Sequence, residues 1–199
     1  KAIMDRLDAK MASGEINCEY EISTSGEYIN ILGDNFIPDP SISMTVNEEQ
    51  VSFSTKYLFP KPGIFYIKFE LSEPINMDFM FADVTTLKRV EMISTDNLKI
   101  TRFESTFENC INLLSFTMKG FDTGSATSMK RMFYGTSNLD KTDLSAFNTE
   151  SVLDMSSMFE SSNIFNLELR NFNTRRLKNM NSMFKWCQNL VYCKVDKFD

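Results

Sequence analysis

A chain of 199 residues, 42% apolar and 24% charged, is long enough for one elongated domain or two small ones. No apolar run approaches the roughly 20 residues a membrane helix needs, so the visible chain is not expected to insert into a membrane. The net charge of −6 is unevenly placed: residues 15–76 hold ten acids against Lys56, Lys61 and Lys68, whereas residues 77–199 hold fifteen of each sign. Without a basic face, a nucleic-acid partner is not expected either.

Taken in order, residues 1–14 place Ile3, Met4, Leu7 and Met11 at helical spacing, with Gly14 as a stop, which predicts an amphipathic helix. From Ile16 the period changes to two. Ile16, Cys18, Tyr20 and Ile22 alternate with polar residues, and further short apolar runs follow turn residues up to Leu71. Residues 15–75 therefore read as a small antiparallel β-sandwich or half-barrel, whose simplest role is to cap what comes next.

Residues 76–199 are repetitive. Phenylalanines at 81, 107, 133, 159 and 184 are separated by 26, 26, 26 and 25 residues, a period that signals a solenoid of about five coils. Each unit carries the apolar frame of a short strand: Leu87-Val90-Met92, Leu113-Phe116-Met118, Leu139-Thr142-Leu144, Ile164-Leu167-Leu169 and Leu190-Cys193-Val195. A second ridge follows at Phe121, Phe147, Phe172 and Phe198, each with Asp or Asn directly after it. Met129-Met132-Phe133 and its counterparts at 155–159 and 180–184 have the spacing of a single helical or 3₁₀ turn. The expected fold class is thus a mixed α/β solenoid, a short parallel strand plus a short helical turn per coil, capped by a small antiparallel β domain.

Cys18, Cys110, Cys187 and Cys193 lack metal-ligand spacing and read as small core residues. No Asn-x-Ser/Thr sequon occurs. The chain begins at Lys1 and ends as another repeat opens at Lys197-Phe198-Asp199, so it reads as a piece of something longer.

The runs Phe121-Asp122-Thr123 to Met132-Phe133 and Phe147-Asn148-Thr149 to Met158-Phe159, with Phe107-Glu-Asn-Cys110-Ile-Asn-Leu113 and Phe184-Lys-Trp-Cys187-Gln-Asn-Leu190, resemble the BspA-type leucine-rich repeats of bacterial, mycoplasmal and protist surface proteins. The β-rich front is similar to that of some protist members. The resemblance implies a curved solenoid used for adhesion to host proteins, other cells or matrix, at the cell surface or outside the cell, without catalysis. It carries over no binding residues.

From the repeat itself, one side chain per coil points outward between the inward strand residues: Glu91, Thr117, Asp143, Glu168, Lys194. One step earlier runs the column Arg89, Ser115, Lys141, Asn166, Tyr192. These columns are the expected binding surface for a protein partner, with Asp143 and Glu168 as a docking point for a cationic centre. Trp186, the single tryptophan, is a candidate contact on an outer turn. Stacked on adjacent coils, Asp143 and Glu168 would have the separation of a retaining glycosidase pair, but an open sheet offers no pocket to raise an acid's pKa. With no histidine and no glycine-rich phosphate loop, no catalytic residue, metal or cofactor is expected. The alternative to an adhesion module is a structural scaffold, intracellular or filament-forming, self-assembling through its solenoid ends.

Overall fold

The computed structural model describes residues 13–196 and 198. The helix expected over 1–14 lies outside the described residues save its last two, and Gly14 already opens the first strand.

Thirteen strands follow one another: β1 (Gly14–Ile22), β2 (Tyr28–Asn30), β3 (Ser43–Val46), β4 (Glu49–Val51), β5 (Lys56–Leu58), β6 (Gly63–Leu71), β7 (Ile75–Asn76), β8 (Leu87–Ser94), β9 (Ile100–Arg102), β10 (Ser115–Lys119), β11 (Lys141–Thr142), β12 (Asn166–Glu168) and β13 (Tyr192–Lys194). Among the described residues there is no helix. The expected mixed α/β solenoid with helical turns is therefore wrong: the chain is a β-solenoid of about five turns.

The correction has a backbone cause. In the Met-Phe limb, Ser105, Arg131, Ser157 and Ser182 have φ of 54°, 55°, 54° and 59°, and four residues later Asn109, Gly135, Ser161 and Trp186 are again left-handed. A left-handed residue every fourth position cannot continue a right-handed helix. The N–H groups split their work instead. Thr106 and Glu108 donate to Phe103 and Ser105 in their own coil, whereas Ser105, Phe107 and Asn109 donate to Lys130, Met132 and Tyr134 of the next coil. Met-x-x-Met-Phe is thus a run of tight turns whose alternate amides form an intercoil ladder. Its spacing coincides with that of a helical turn, which is why the sequence pattern misleads.

That ladder aligns the repeat phenylalanines. Phe81, Phe107, Phe133, Phe159 and Phe184 stack with ring centroids 5.4, 5.4, 5.7 and 5.8 Å apart and interplanar angles of 2°, 11°, 2° and 1°. Four of the five rings are fully buried; Phe184, on the last coil, is half-buried. The second ridge explains its own motif. The Thr123 hydroxyl accepts the Asn148 N–H at 2.8 Å and donates to the Asn148 carbonyl at 3.1 Å, and Thr149 does the same with Asn173. Asp122, Asn148 and Asn173 each accept the N–H two residues on. A hydroxyl that both donates and accepts satisfies a corner where the backbone ladder turns.

The front strands extend the solenoid's own sheet. The largest sheet has the order β11-β10-β8-β1-β6-β3-β4. β8, β10 and β11 are parallel, and β1 pairs antiparallel with both β8 and β6. One hydrophobic cluster runs from Ile16 to Met183, with Phe69 edge-on to Phe81 at 6.3 Å. At the front of the first coil, Gly33 donates to the Met80 carbonyl at 2.8 Å, and any Cβ there would run into the Phe79 carbonyl. β1 thereby pairs the edge that β8 would otherwise expose.

One substitution separates this architecture from a helical one, and a second weighs the aromatic stack. Ser157→Gly leaves stability unchanged or raises it by up to about 1 kcal/mol, because glycine accepts the left-handed conformation freely, whereas a residue in a helix would lose about 1 kcal/mol. Phe133→Ala, which removes a ring from the middle of the stack, costs about 3–5 kcal/mol. Urea unfolding midpoints measure both.

Candidate recognition surface

Side chains alternate across a strand, so the seven-stranded sheet has one face on the core and one in solvent. The pairing registers lay the outward residues in rows. One row runs Thr45, Lys68, Asn17, Glu91, Thr117, and the amide of Asp143 bonds the Phe116 carbonyl to continue it. The adjacent row runs Tyr66, Glu19, Arg89, Ser115, Lys141. The third runs Ser43, Glu70, Glu15, Ile93, Lys119.

The sequence-derived columns are therefore placed as follows. Arg89, Glu91, Thr117, Lys141 and Asp143 lie exposed on the large sheet. Glu168, Tyr192 and Lys194 lie on the separate pair β12-β13, where Glu168 faces Lys194 and Asn166 faces Tyr192. β11 and β12 are not paired, so Asp143 and Glu168 are not rungs of one ladder. Glu168 also already accepts from Arg170 at 2.9 Å, which lies 3.9 Å from Asp196. Trp186 is 63% exposed on its turn, with the Lys185 ammonium 5.8 Å from its ring.

The structure adds residues that the repeat pattern alone does not reveal. Asn17, Thr45, Tyr66 and Lys68 share the face because β1, β6 and β3 join the solenoid sheet. No periodicity encodes that pairing, since it depends on which front strand meets β8. Two open grooves lie on the face. One of about 380 Å³ is lined by Asn17, Thr45, Glu48, Tyr66 and Lys68. The other, of about 600 Å³, is lined by Glu91, Ile93, Thr117, Lys119 and Asp143 among others.

The charges on this face fall into two groups. Toward the front they neutralise one another: Lys68 lies 2.9 Å from Glu70 and 3.8 Å from Glu15, Lys88 lies 2.6 Å from Glu21, and Arg89 lies 3.6 Å from Glu19. Around the larger groove, Glu91, Lys119, Lys141 and Asp143 have no ion-pair partner among the described residues. Asp143 is held below the usual carboxylate range by hydrogen bonds from the Ser145 hydroxyl and amide, so it carries its charge. The Met-Phe limb differs. There Arg102 meets Asp78 and Glu104, Arg131 meets Glu108 at 2.6 Å, and Lys185 meets Glu160 at 3.2 Å.

Among the described residues, no group of three or more His, Cys, Asp or Glu could hold a metal ion, and no helix is long and apolar enough to cross a membrane. All four cysteines are free. Cys110 and Cys187 donate to the Phe81 and Phe159 carbonyls at 2.9 Å, the same contact in two coils. Burial pushes the Cys18 and Cys110 thiols far up. Cys193 departs from the expected core role and is exposed, because no further coil covers it among the described residues.

Residues 69–196 match the family model described as Mycoplasma protein of unknown function, DUF285. The chain belongs to this family. The matched segment begins within β6 and takes in the described coils. No curated protein matches the chain, and no solved structure matches it either.

The thiols give a check on the burial pattern. In the folded chain of residues 1–199 a maleimide labels Cys193 first and Cys187 more slowly, while Cys18 and Cys110 react only after unfolding. Peptide mapping after timed labelling reads the order.

Proposed function

We propose that the chain is a non-catalytic recognition module that binds a protein partner through the outer face of its seven-stranded sheet, centred on β8, β10 and β11. The observation that carries this reading is the distribution of unengaged charge. The Met-Phe limb spends its charges on ion pairs between and within coils, so a partner there would have to break them. The larger groove presents Glu91, Lys119, Lys141 and Asp143 on a stacked sheet with no ion-pair partner among the described residues. Charges of both signs in fixed positions select an orientation more than they add affinity. Membership of a repeat family found in mycoplasmas, together with the resemblance to BspA-type repeats, supports placing the module on the cell surface and its partner among host, matrix or neighbouring-cell proteins.

The scaffold reading, in which copies stack end to end, meets a front that is already covered: β1 pairs the first-coil strand β8, Gly33 is bonded to the Met80 carbonyl and Phe69 lies against Phe81.

The test is photo-crosslinking. The purified chain carrying a photoreactive residue at Thr117, or at Lys130 on the Met-Phe limb, is added to intact source cells and to matrix extract. Crosslinks are expected from position 117 only, and the Glu91→Lys/Asp143→Lys double variant is expected to weaken capture by about tenfold or more. Equal labelling from both positions, or capture indifferent to the charge reversal, would contradict the proposal.

A further inference from the structure

Four of the five coils place the strand leucine six residues after the repeat phenylalanine: Phe81 to Leu87, Phe107 to Leu113, Phe133 to Leu139 and Phe184 to Leu190. In the fourth coil Ile164 comes five after Phe159. The missing residue is the counterpart of Ile111, Ser137 and Gln188. Those three amides close a tight turn by bonding Asn109, Gly135 and Trp186, and in the fourth coil no equivalent bond forms. Instead the Asn163 amide reaches back to the Thr136 carbonyl at 3.2 Å.

Two interactions that recur at the other joints fail here. Lys141 and Asp143 donate back to Leu114 and Phe116, and Tyr192 donates back to Phe165, but β12 makes no ladder with β11. Asn112 and Asn138 donate side-chain bonds to the Thr85 and Ile111 carbonyls of the preceding coil, whereas Asn163 makes no such bond and only accepts one from Asn189. Thr142 stands at an inward strand position with its hydroxyl buried and unbonded. The other limb is intact: Phe133 stacks on Phe159, and Met129, Arg131, Phe133 and Gly135 all donate to the fourth coil. At the far end of the strand, Asn171 substitutes its side-chain amide for backbone, reaching the Leu144 and Phe147 carbonyls at 3.0 and 2.7 Å.

We infer that the joint between the third and fourth coils is a hinge built into the solenoid: the strand side opens and closes while the Met-Phe side stays joined. The hinge divides the outer columns between Asp143 and Glu168. Flexing there changes the angle between the groove around Thr117 and the pair carrying Glu168, Tyr192 and Lys194, so the solenoid adjusts its curvature to what it meets. Opening gives up the Asn163 amide bond and the Asn171 side-chain bonds at the two ends of the strand, but no ladder bonds between β11 and β12, and a buried orphan hydroxyl gains water.

Residue-resolved amide exchange tests this. The Asn166 and Glu168 amides, which point toward β11, are expected to exchange about tenfold or more faster than their counterparts Lys141, Asp143 and Tyr192. Insertion of one serine between Ser162 and Asn163, which restores the 26-residue period, is expected to bring them to the protection of the other joints. The wild-type comparison decides by itself if the insertion does not fold: equal protection at this joint overturns the inference. A folded insertion variant with unchanged exchange overturns it as well.

Discussion

The intercoil bonds of the Met-Phe limb are the constraint on which everything else depends. An amide that donates to the next coil cannot also close a turn of helix, so alternate residues must divide between the two tasks. That division forces every fourth residue into the left-handed region, at about 1–2 kcal/mol each for a side chain with a Cβ. The ladder and the aromatic stack offset this strain. Rings held 5.4–5.8 Å apart and nearly parallel follow from a backbone repeat of about one hydrogen-bonded layer per coil. The stack in turn keeps the strands on the opposite side in register, and those strands present the outer face.

What the sequence made legible was the period and the inward residues. Phe81 to Phe159, the strand positions from Leu87 to Leu169 and the ridge from Phe121 to Phe172 are buried as their spacing requires, with Thr142 half-buried. The limb conformation was not legible, because Met-x-x-Met-Phe places the same side chains inward whether the backbone turns as a helix or as successive tight turns. The distinguishing information lies in φ at Arg131 or Ser157, residues with no strong preference for the left-handed region. The outer columns on the solenoid were readable as a stack, and their continuation onto Asn17, Tyr66 and Lys68 was not, because antiparallel partner choice is a non-local decision. The missing residue after Ser162 was visible only as a separation of 25, and its consequence at β11 and β12 needed the hydrogen bonds.

The Met-Phe side carries ion pairs between coils, whereas Glu91, Lys119, Lys141 and Asp143 around the larger groove of the sheet side have none among the described residues. At Asp143, Ser145 ends the strand by bonding its carboxylate, lowers its pKa and fixes it beside Thr117. The front strands extend the face and cover the front of the first coil, where β1 pairs β8 and Gly33 bonds the Met80 carbonyl.

The most direct measurement is detection of through-hydrogen-bond scalar couplings by NMR on deuterated, isotope-labelled protein. The account predicts couplings from the Phe107 amide to the Met132 carbonyl and from the Phe133 amide to the Met158 carbonyl, the 2.9 and 2.8 Å bonds of the ladder. Couplings from Phe107 to Phe103 and from Phe133 to Met129 would mean that the limb is helical after all, and the ladder on which the account rests would not exist.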